Sequence, residues 1–340
     1  MIAVAFSGGI DSLMTLLLLR EQGHQIFALH GIFQDQDPVF LQGLQKQCAN
    51  LQVRLHFADL RQAFRQYVIT PFVQDYLAGH TPNPCAWCNR RIKFGLLLQQ
   101  ATALGADKLA SGHYALCLPT PDGWGLFQGL DPDKDQSYFL SLLTASSLPR
   151  LIFPLGRWRK NDVYQAVAQA GFSAGKPKES QEICFIPDNY KDFLRRETGI
   201  SPRKGKIIGP DGVVLGEHKG LWHYTLGQRK GLGIAHAFPL YVTGMDMASN
   251  TLLVGPKTDL LTTGCQLRKL NELLPFAAWP EKITVRTRYR QKKHAARIEK
   301  TGDTARLFFT EPIECPPPGQ VATLYDRNGR VLAGAIIANS

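Results

Sequence analysis

Apolar residues in the first half of the chain fall in short runs, and these runs alternate with longer stretches of helical period. Residues 2–6 predict a short strand, and 12–22 predict a helix closed by Gly23. A second apolar strand is predicted over 25–33 and a helix over 39–48. Leu51, Val53, Leu55 and Phe57 alternate, which predicts a third strand over 51–57. A long helical stretch follows to about Ala78, a further helix covers 89–104, and 108–111 is strand-like. Strands alternating with helices of this length predict a parallel sheet covered by helices on both faces.

The pattern changes near residue 190. A short helix is predicted over 191–198, after which glycines become frequent and strands short. From about Thr262 the chain reads as all-β, with strand-like runs at 283–289, 305–309 and 321–324. Short strands between turn signals predict a small barrel or sandwich. The expected architecture is α/β. It comprises a Rossmann-like catalytic domain over 1–190, a small mixed central domain over 191–258 and a C-terminal β-barrel over 259–340.

Charge sharpens this division. The chain of 340 residues carries a net charge of +11. Residues 1–190 hold 16 Lys and Arg against 15 Asp and Glu, and residues 191–340 hold 23 against 13. The positive excess therefore lies in the second half, which suggests a polyanion partner, although a solubilising basic surface gives the same count. No apolar run is long enough to span a bilayer; the densest, over 13–19, ends at Arg20 and Glu21. No basic segment precedes the first strand, so a cytoplasmic protein without membrane attachment is expected. Seven cysteines argue against a fully paired disulfide framework and for metal binding or catalysis. Cys48, Cys117, Cys265 and Cys315 sit among apolar or turn residues and read as ordinary neutral cysteines.

The stretch AFSGGIDS over 5–12 follows the first strand and opens the first helix. Gly8 and Gly9 let the backbone approach a ligand, and the amides of a helix N-terminus attract an anion. Ser7 and Ser12 add hydroxyls. Asp11 makes sense beside a phosphate if it helps hold Mg²⁺ there. The stretch matches neither of the two common phosphate-loop patterns. It resembles the S-G-G-x-D-S signature of PP-loop ATP pyrophosphatases, enzymes that use ATP to adenylate a substrate oxygen. A tight turn with no ligand is the plainer alternative.

TPNPCAWCNRR over 81–91 places Cys85 and Cys88 at C-x-x-C spacing. Arg90, Arg91 and Lys93 follow on what is expected to be a helix N-terminus, a setting that lowers a thiol pKa. Cys184 lies in ESQEICFIP over 179–187 and, taken alone, reads equally as a core cysteine.

Together these stretches resemble one family, the tRNA-specific 2-thiouridylases (MnmA/TrmU). The matching blocks are SGGIDS at 7–12, TPNPCAWCNRRIKF at 81–94, SGHYA at 111–115 and KDQSYFL at 134–140. They continue with SQEICFIP at 180–187, HKGLWHYTLGQRKGLGI at 218–234, RYRQ at 288–291 and PPGQ at 317–320. The resemblance runs the length of the chain in the right order.

The resemblance implies formation of 2-thiouridine at the wobble position of tRNAs for lysine, glutamine and glutamate. It implies ATP and Mg²⁺ as requirements and a cysteine desulfurase or sulfur-relay protein as sulfur donor. Ala5, Phe6, Ser7, Gly8, Gly9, Ile10, Asp11 and Ser12 would bind ATP, with Gly112 lining the site and Gly31 on the adenine side. Cys88 would be the nucleophile and Cys184 the persulfide carrier; Cys88 would either attack that persulfide to release sulfide or resolve the intermediate, leaving a Cys88–Cys184 disulfide. Asn83, Pro84 and Cys85 would lie beside the target uridine, extruded from its stack. His113, Lys134, Asp135, Gln136, Arg288, Tyr289, Arg290 and Gln320 would touch tRNA. Without the resemblance, 288–293 also reads as the solvated face of an edge strand, and His113 as a structural histidine.

One position departs from the pattern. Many members carry Asp where this chain has Cys85, and an unperturbed thiol is mostly neutral where a carboxylate is an anion. Three readings of the C-x-x-C remain open at this level. Cys88 is the nucleophile with Cys85 packed beside the base. Alternatively Cys85, Cys88 and Cys184 ligate an iron–sulfur cluster, or the pair binds zinc with Cys184 and His113. Two other functions compete with thiolation: an ATP-dependent amide ligase, and a nucleotide-gated RNA-binding module without chemistry.

Overall fold

In the computed structural model, which describes residues 1–172, 183–201 and 203–338, the sheet is built first from strand β1 (Ile2–Ala5). Both faces of β1 are covered, so it reads as a continuous apolar run rather than an alternating one. β2 (Ile26–Ile32) and β4 (Lys108–Ala110) flank it in parallel, β3 (Leu55–Asp59) lies beyond β2, and β7 (Leu151–Ile152) lies beyond β4. Val4 stands between Ala28 on one side and Ala110 on the other. Strand order therefore reverses at β1, and the crevice at its carboxyl end is the place where such sheets bind ligands.

Period-two alternation distributes the core. Val4 and Ala28 face helices α1 (Ile10–Glu21), α2 (Pro38–Asn50) and Lys160–Gln169, where Leu13, Leu16, Leu44, Val163 and Val167 are buried. Ala3, Phe27 and Leu29 face the opposite layer, with Phe64, Phe72, Ile92 and Leu97. That layer holds two helical stretches, 61–77 and 84–103, each interrupted by π-helix, over Arg65–Ile69 and Cys88–Leu97.

Two sequence expectations shift here. The third strand begins at Leu55, not Leu51, because Leu51 closes α2 by donating to Gln47 O and Gln52 turns away in the left-handed region (φ 56°). The hairpin of β5 (Ala115–Thr120) and β6 (Gly123–Gln128) was not anticipated, although its Pro-Asp-Gly turn is a local signal.

The central unit is a four-stranded sheet of β8 (Gly205–Ile208), β9 (Val214–His218), β10 (Tyr241–Asp246) and β11 (Thr251–Gly255), in the order β10-β11-β8-β9. Its core is Ile207, Leu221, Val242 and Leu252. The C-terminal unit is a closed six-stranded antiparallel barrel. It is formed by β12 (Leu261–Glu272), β13 (Ile283–Arg286), β14 (His294–Thr301), β15 (Thr304–Glu314), β16 (Val321–Tyr325) and β17 (Val331–Ile337). The α/β class and the C-terminal barrel agree with the sequence reading.

The barrel is fastened to the cysteine-bearing layer by buried polar contacts. The Asn271 amide donates to Ser141 O at 3.0 Å and Leu143 O at 2.7 Å. Arg90 donates to Leu142 O and to Asn271 Oδ1, each at 2.6 Å. A side chain at Gly334 would stand 2.6 Å from Ser141 O, so glycine is what lets β17 lie against the first domain. All seven residues of β17 are buried in consequence. No helix of the described residues is long and apolar enough to cross a membrane.

Candidate active site at the reversal of the sheet

The loop Ser7–Gly9 leaves β1 at the reversal point and enters α1 with Gly9 as N-cap. No side chain caps this helix. The first-turn amides, which an α-helix cannot satisfy internally, are thus left to a ligand. Gly8 has φ 76°, and a Cβ there would strike Leu44 at 2.5 Å, so only glycine follows this path. Ser12 donates to Gly9 O at 2.8 Å and accepts from Ser7 N at 3.2 Å, pinning the loop across its mouth.

Gly112 closes the opposite wall. A Cβ there would meet the Asp11 backbone and Cβ at 2.9 Å. Gly31 is different: a Cβ would meet the Phe33 ring at 2.5 Å, so packing of Phe33 already accounts for that glycine.

Asp11 is not a free carboxylate. The Lys160 ammonium donates to both its oxygens at 2.7 Å, and the Tyr114 hydroxyl donates to one at 2.8 Å. Burial, then the Asp11 charge, drives the Tyr114 phenol well above its usual range, so it remains a donor. Lys160 N donates to Asp131 at 2.9 Å, which fixes the start of its helix. An ion reaching Asp11 competes with an ammonium already in place. Lys160 and Tyr114 were both missed from sequence.

The cysteines sit on the stretch 84–103. Asn83 caps it by accepting from Ala86 N at 3.1 Å, and Pro84 occupies the first turn, where its missing N–H costs nothing. Cys88 therefore lies a turn inside the helix rather than at its N-terminus. It is buried, and burial pushes its thiol up to about 12 against the lowering effect of Lys93. The expectation of a depressed Cys88 pKa is corrected on both grounds. Of the neighbouring cations, Arg90 is turned to Leu142 and Asn271, and Arg91 is exposed; the charge that reaches the thiol is Lys93.

Cys85 is half-buried, and its thiol is likewise raised by burial. Cys184 is exposed, yet the protein around it also raises its thiol, with Lys93 again opposing. Cys184 acts electrostatically on both Cys85 and Cys88, so the structure brings the three together. Ser180, Gln181 and Glu182, from the block around Cys184, lie outside the described residues. Among the described residues no group of three His, Cys, Asp or Glu side chains is placed to hold a metal ion. Cys48 and Cys265 are buried and raised to about 11 and about 12, as expected of inert thiols.

Several residues expected to face tRNA are turned inward. Asp135 is 1% exposed, pairs with Arg286 at 2.9 Å and accepts from Gln128, Gly129 and Ser137. It is a buried fastening between hairpin and barrel rather than a surface contact. His113 is buried, bonds to Ser111 at 2.7 Å and is held neutral by burial. Its ring packs 5.4 Å from that of Phe94. Gln136 accepts from Tyr114 N at 3.0 Å. Gln320 accepts from Tyr138 at 3.1 Å, and Tyr289 packs on Phe139 at 4.4 Å. Lys134 and Arg288 are half-buried, and Arg290 is exposed. The segment over 111–115 thus joins two sites. Gly112 packs on the glycine loop, Tyr114 binds Asp11, and His113 packs on the cysteine helix.

Three family models match the chain in sequence. They are described as the tRNA methyl transferase HUP domain over 1–188, the tRNA methyl transferase PRC-barrel domain over 191–256 and the aminomethyltransferase beta-barrel domain over 262–337. Fold and site define a HUP-domain protein with a cysteine-bearing helix beside its glycine loop and a barrel locked against that helix. The chain is 49% identical to the tRNA-specific 2-thiouridylase MnmA of Nitratidesulfovibrio vulgaris strain Miyazaki F, over 99% of this chain and 98% of that one. It is 44% identical to the protein of that name from Lawsonia intracellularis, over 99% of each. The chain belongs to the tRNA-specific 2-thiouridylase family. Among solved structures, the U34-tRNA thiolase NcsA of Methanococcus maripaludis with its 4Fe-4S cluster matches at 16% identity and a TM-score of 0.37. That match covers 58% of this chain and 65% of the other, and is too slight to bear on the chemistry.

Proposed function

We propose that this chain is an ATP-dependent tRNA-uridine 2-sulfurtransferase. It adenylates the wobble uridine and replaces the C2 oxygen with sulfur carried on a cysteine. The observation that carries this reading is the segment over 111–115, which walls the anion-binding loop through Gly112 and packs against the cysteine helix through His113. A loop suited to ATP and a set of thiols suited to sulfur transfer thereby share one wall.

ATP would lay its phosphates on the uncapped amides of α1, with Ser7, Gly8, Gly9, Ile10 and Ser12 forming the cradle. Mg²⁺ enters with the nucleotide as part of the substrate, and to reach Asp11, the carboxylate of the loop, it would have to displace the Lys160 ammonium. Ala5, Phe6, Gly31 and Gly112 belong to the walls. The uridine C2 oxygen attacks the α-phosphorus, and pyrophosphate leaves. The outer sulfur of a Cys184 persulfide then attacks C2 and displaces AMP, giving a Cys184–S–S–C2 adduct. The Cys88 thiolate attacks the Cys184 sulfur of that adduct, releasing 2-thiouridine and leaving a Cys88–Cys184 disulfide. An external dithiol reduces the disulfide, and a cysteine desulfurase or sulfur-relay protein reloads Cys184. Cys85 stands where a carboxylate is usual, and its raised thiol makes it a neutral neighbour of the base rather than a base itself.

The tRNAs for lysine, glutamine and glutamate are the expected acceptors. The basic second half would grip the phosphates, with Arg288 and Arg290 among its cations. Asn83 and Pro84, both buried at the start of the cysteine helix, would lie beside the extruded uridine. A cytoplasmic location accords with this substrate.

Cys88→Ser and Cys184→Ser variants, assayed for 2-thiouridine and for tRNA-dependent ATP–pyrophosphate exchange, test the reading. Loss of thiolation with exchange retained supports it. Full thiolation by Cys184→Ser sinks it, and an amide ligase would be indifferent to both changes.

A further inference from the structure

The ten residues Cys88–Leu97 form a π-helix, a form that normally appears as single-turn bulges and often at functional sites. The wide turn changes which side chains share a face. In an α-helix, residues five apart point about 140° away from each other. Where hydrogen bonds close from i to i+5, residue i+5 returns close to the face of residue i. Cys88 and Lys93 are five apart, so the π turn brings Lys93 round to the Cys88 side. Gly95 bears on the same geometry. A Cβ there would stand 2.9 Å from the carbonyl oxygen of Arg90, five residues earlier, so the turn depends on a glycine.

Lys93 is half-buried, and no carboxylate pairs with it among the described residues. The titratable groups its charge reaches are Cys85, Cys88, Cys184 and His113. His113 is neutral, and Arg90 is committed to Leu142 and Asn271. Among the described residues, this partly desolvated ammonium therefore faces three sulfurs and no carboxylate. Half-burying a cation without a counter-ion is costly unless an anion visits the site.

We propose that Lys93 holds the sulfur anions of this site, the Cys88 thiolate and the outer sulfur of a Cys184 persulfide, and that the π-helix exists to place it there. Lys93 is thus a positioning residue that acts through the cysteines. The proposal rests on the thiolase reading for its purpose, but its first test does not need activity.

That test is the rate of Cys88 alkylation by iodoacetamide from pH 6.5 to 9.5, read by mass spectrometry on the full chain. Wild type is compared with Lys93→Met, Lys93→Arg and Gly95→Ala. Lys93→Met is expected to slow alkylation about tenfold at pH 8, the equivalent of about one pKa unit, and Lys93→Arg to restore most of the loss. Gly95→Ala, which displaces Lys93 without removing it, is expected to slow alkylation as well, with circular dichroism showing that each variant is folded. Single-turnover sulfur transfer from preloaded persulfide falls in parallel, while tRNA affinity stays within about twofold. Unchanged alkylation in a folded Lys93→Met protein overturns the proposal. So does unchanged alkylation with weakened tRNA binding, which would make Lys93 a phosphate contact. A wild type that transfers no sulfur at all would count against the thiolase reading, and the alkylation comparison would still decide the role of Lys93.

Discussion

The ammonium of Lys160 stands 2.7 Å from both carboxylate oxygens of Asp11, across 149 residues of sequence. One comes from the helix that backs the glycine loop and the other from the loop's own first turn. Triphosphate arriving at that loop offers the ammonium a second anionic partner. Lys160→Met is expected to reduce tRNA-dependent ATP–pyrophosphate exchange by about 10²-fold, the typical loss for one charge aimed at a reacting phosphate. It is also expected to cost about 1–3 kcal/mol in urea unfolding, because Asp11 loses a charged partner. Exchange at the wild-type rate would make the pair structural only.

Asp135 and Arg286 give a contrasting case. Their 2.9 Å pair is buried at 1% and 15% side-chain exposure. Asp135→Asn is expected to destabilise the chain by about 3 kcal/mol, since Arg286 is left charged and buried. The salt dependence of tRNA binding should not change. A steeper salt dependence, from the loss of a carboxylate facing the phosphates, would return Asp135 to the tRNA surface.

The exposed cations of the barrel behave in the opposite way. Arg290 is exposed, and Arg288 lies 4.0 Å from Glu314 and is already partly neutralised. Arg290→Gln is expected to reduce the slope of log K against log salt for tRNA by about 0.7–0.9, with little change in melting temperature. Arg288→Gln should reduce it less. Filter binding at several salt concentrations separates the two.

Acid stability follows from two histidines kept neutral in the fold. Burial holds His113 well below its ordinary value, and burial with nearby cations lowers His223 to about 4. In the unfolded chain both take a proton near pH 6.5. Below that pH the unfolded state binds more protons, so stability present above about 6.5 is lost as pH falls toward 4. The urea midpoint is expected to drop between pH 7 and pH 5, and His113→Phe, which keeps the ring packing, should flatten the drop. An unchanged slope in that variant would exclude His113 as a contributor.

Legibility in the sequence tracked how local each cause was. The glycine loop could be read because its needs are met within eight consecutive residues: a strand before, a helix after, and Gly8 where φ is positive. Cys85, Cys88 and Cys184 could be named from resemblance, and in the fold Cys184 acts electrostatically on the other two. The chemistry of Cys88 could not be read, because basic neighbours in sequence suggested a low pKa while burial by distant residues set a high one. The inward turn of Asp135 was equally hidden, its cation lying 151 residues away. The π-helix had no periodic signature in so short a stretch, and Gly95 was its only local trace.

The sequence by itself determined the alternation of strands and helices over the first hundred or so residues, the anion-binding turn, the basic second half and the identity of the thiols. These follow from backbone preference, hydrophobic period and side-chain chemistry, all of which act over a few residues. Only the tertiary structure decided which charges meet. It set Lys160 on Asp11, Arg286 on Asp135 and Lys93 among three sulfurs. Electrostatic energy depends on separation in space and on exclusion of water, and neither is fixed until the chain has folded.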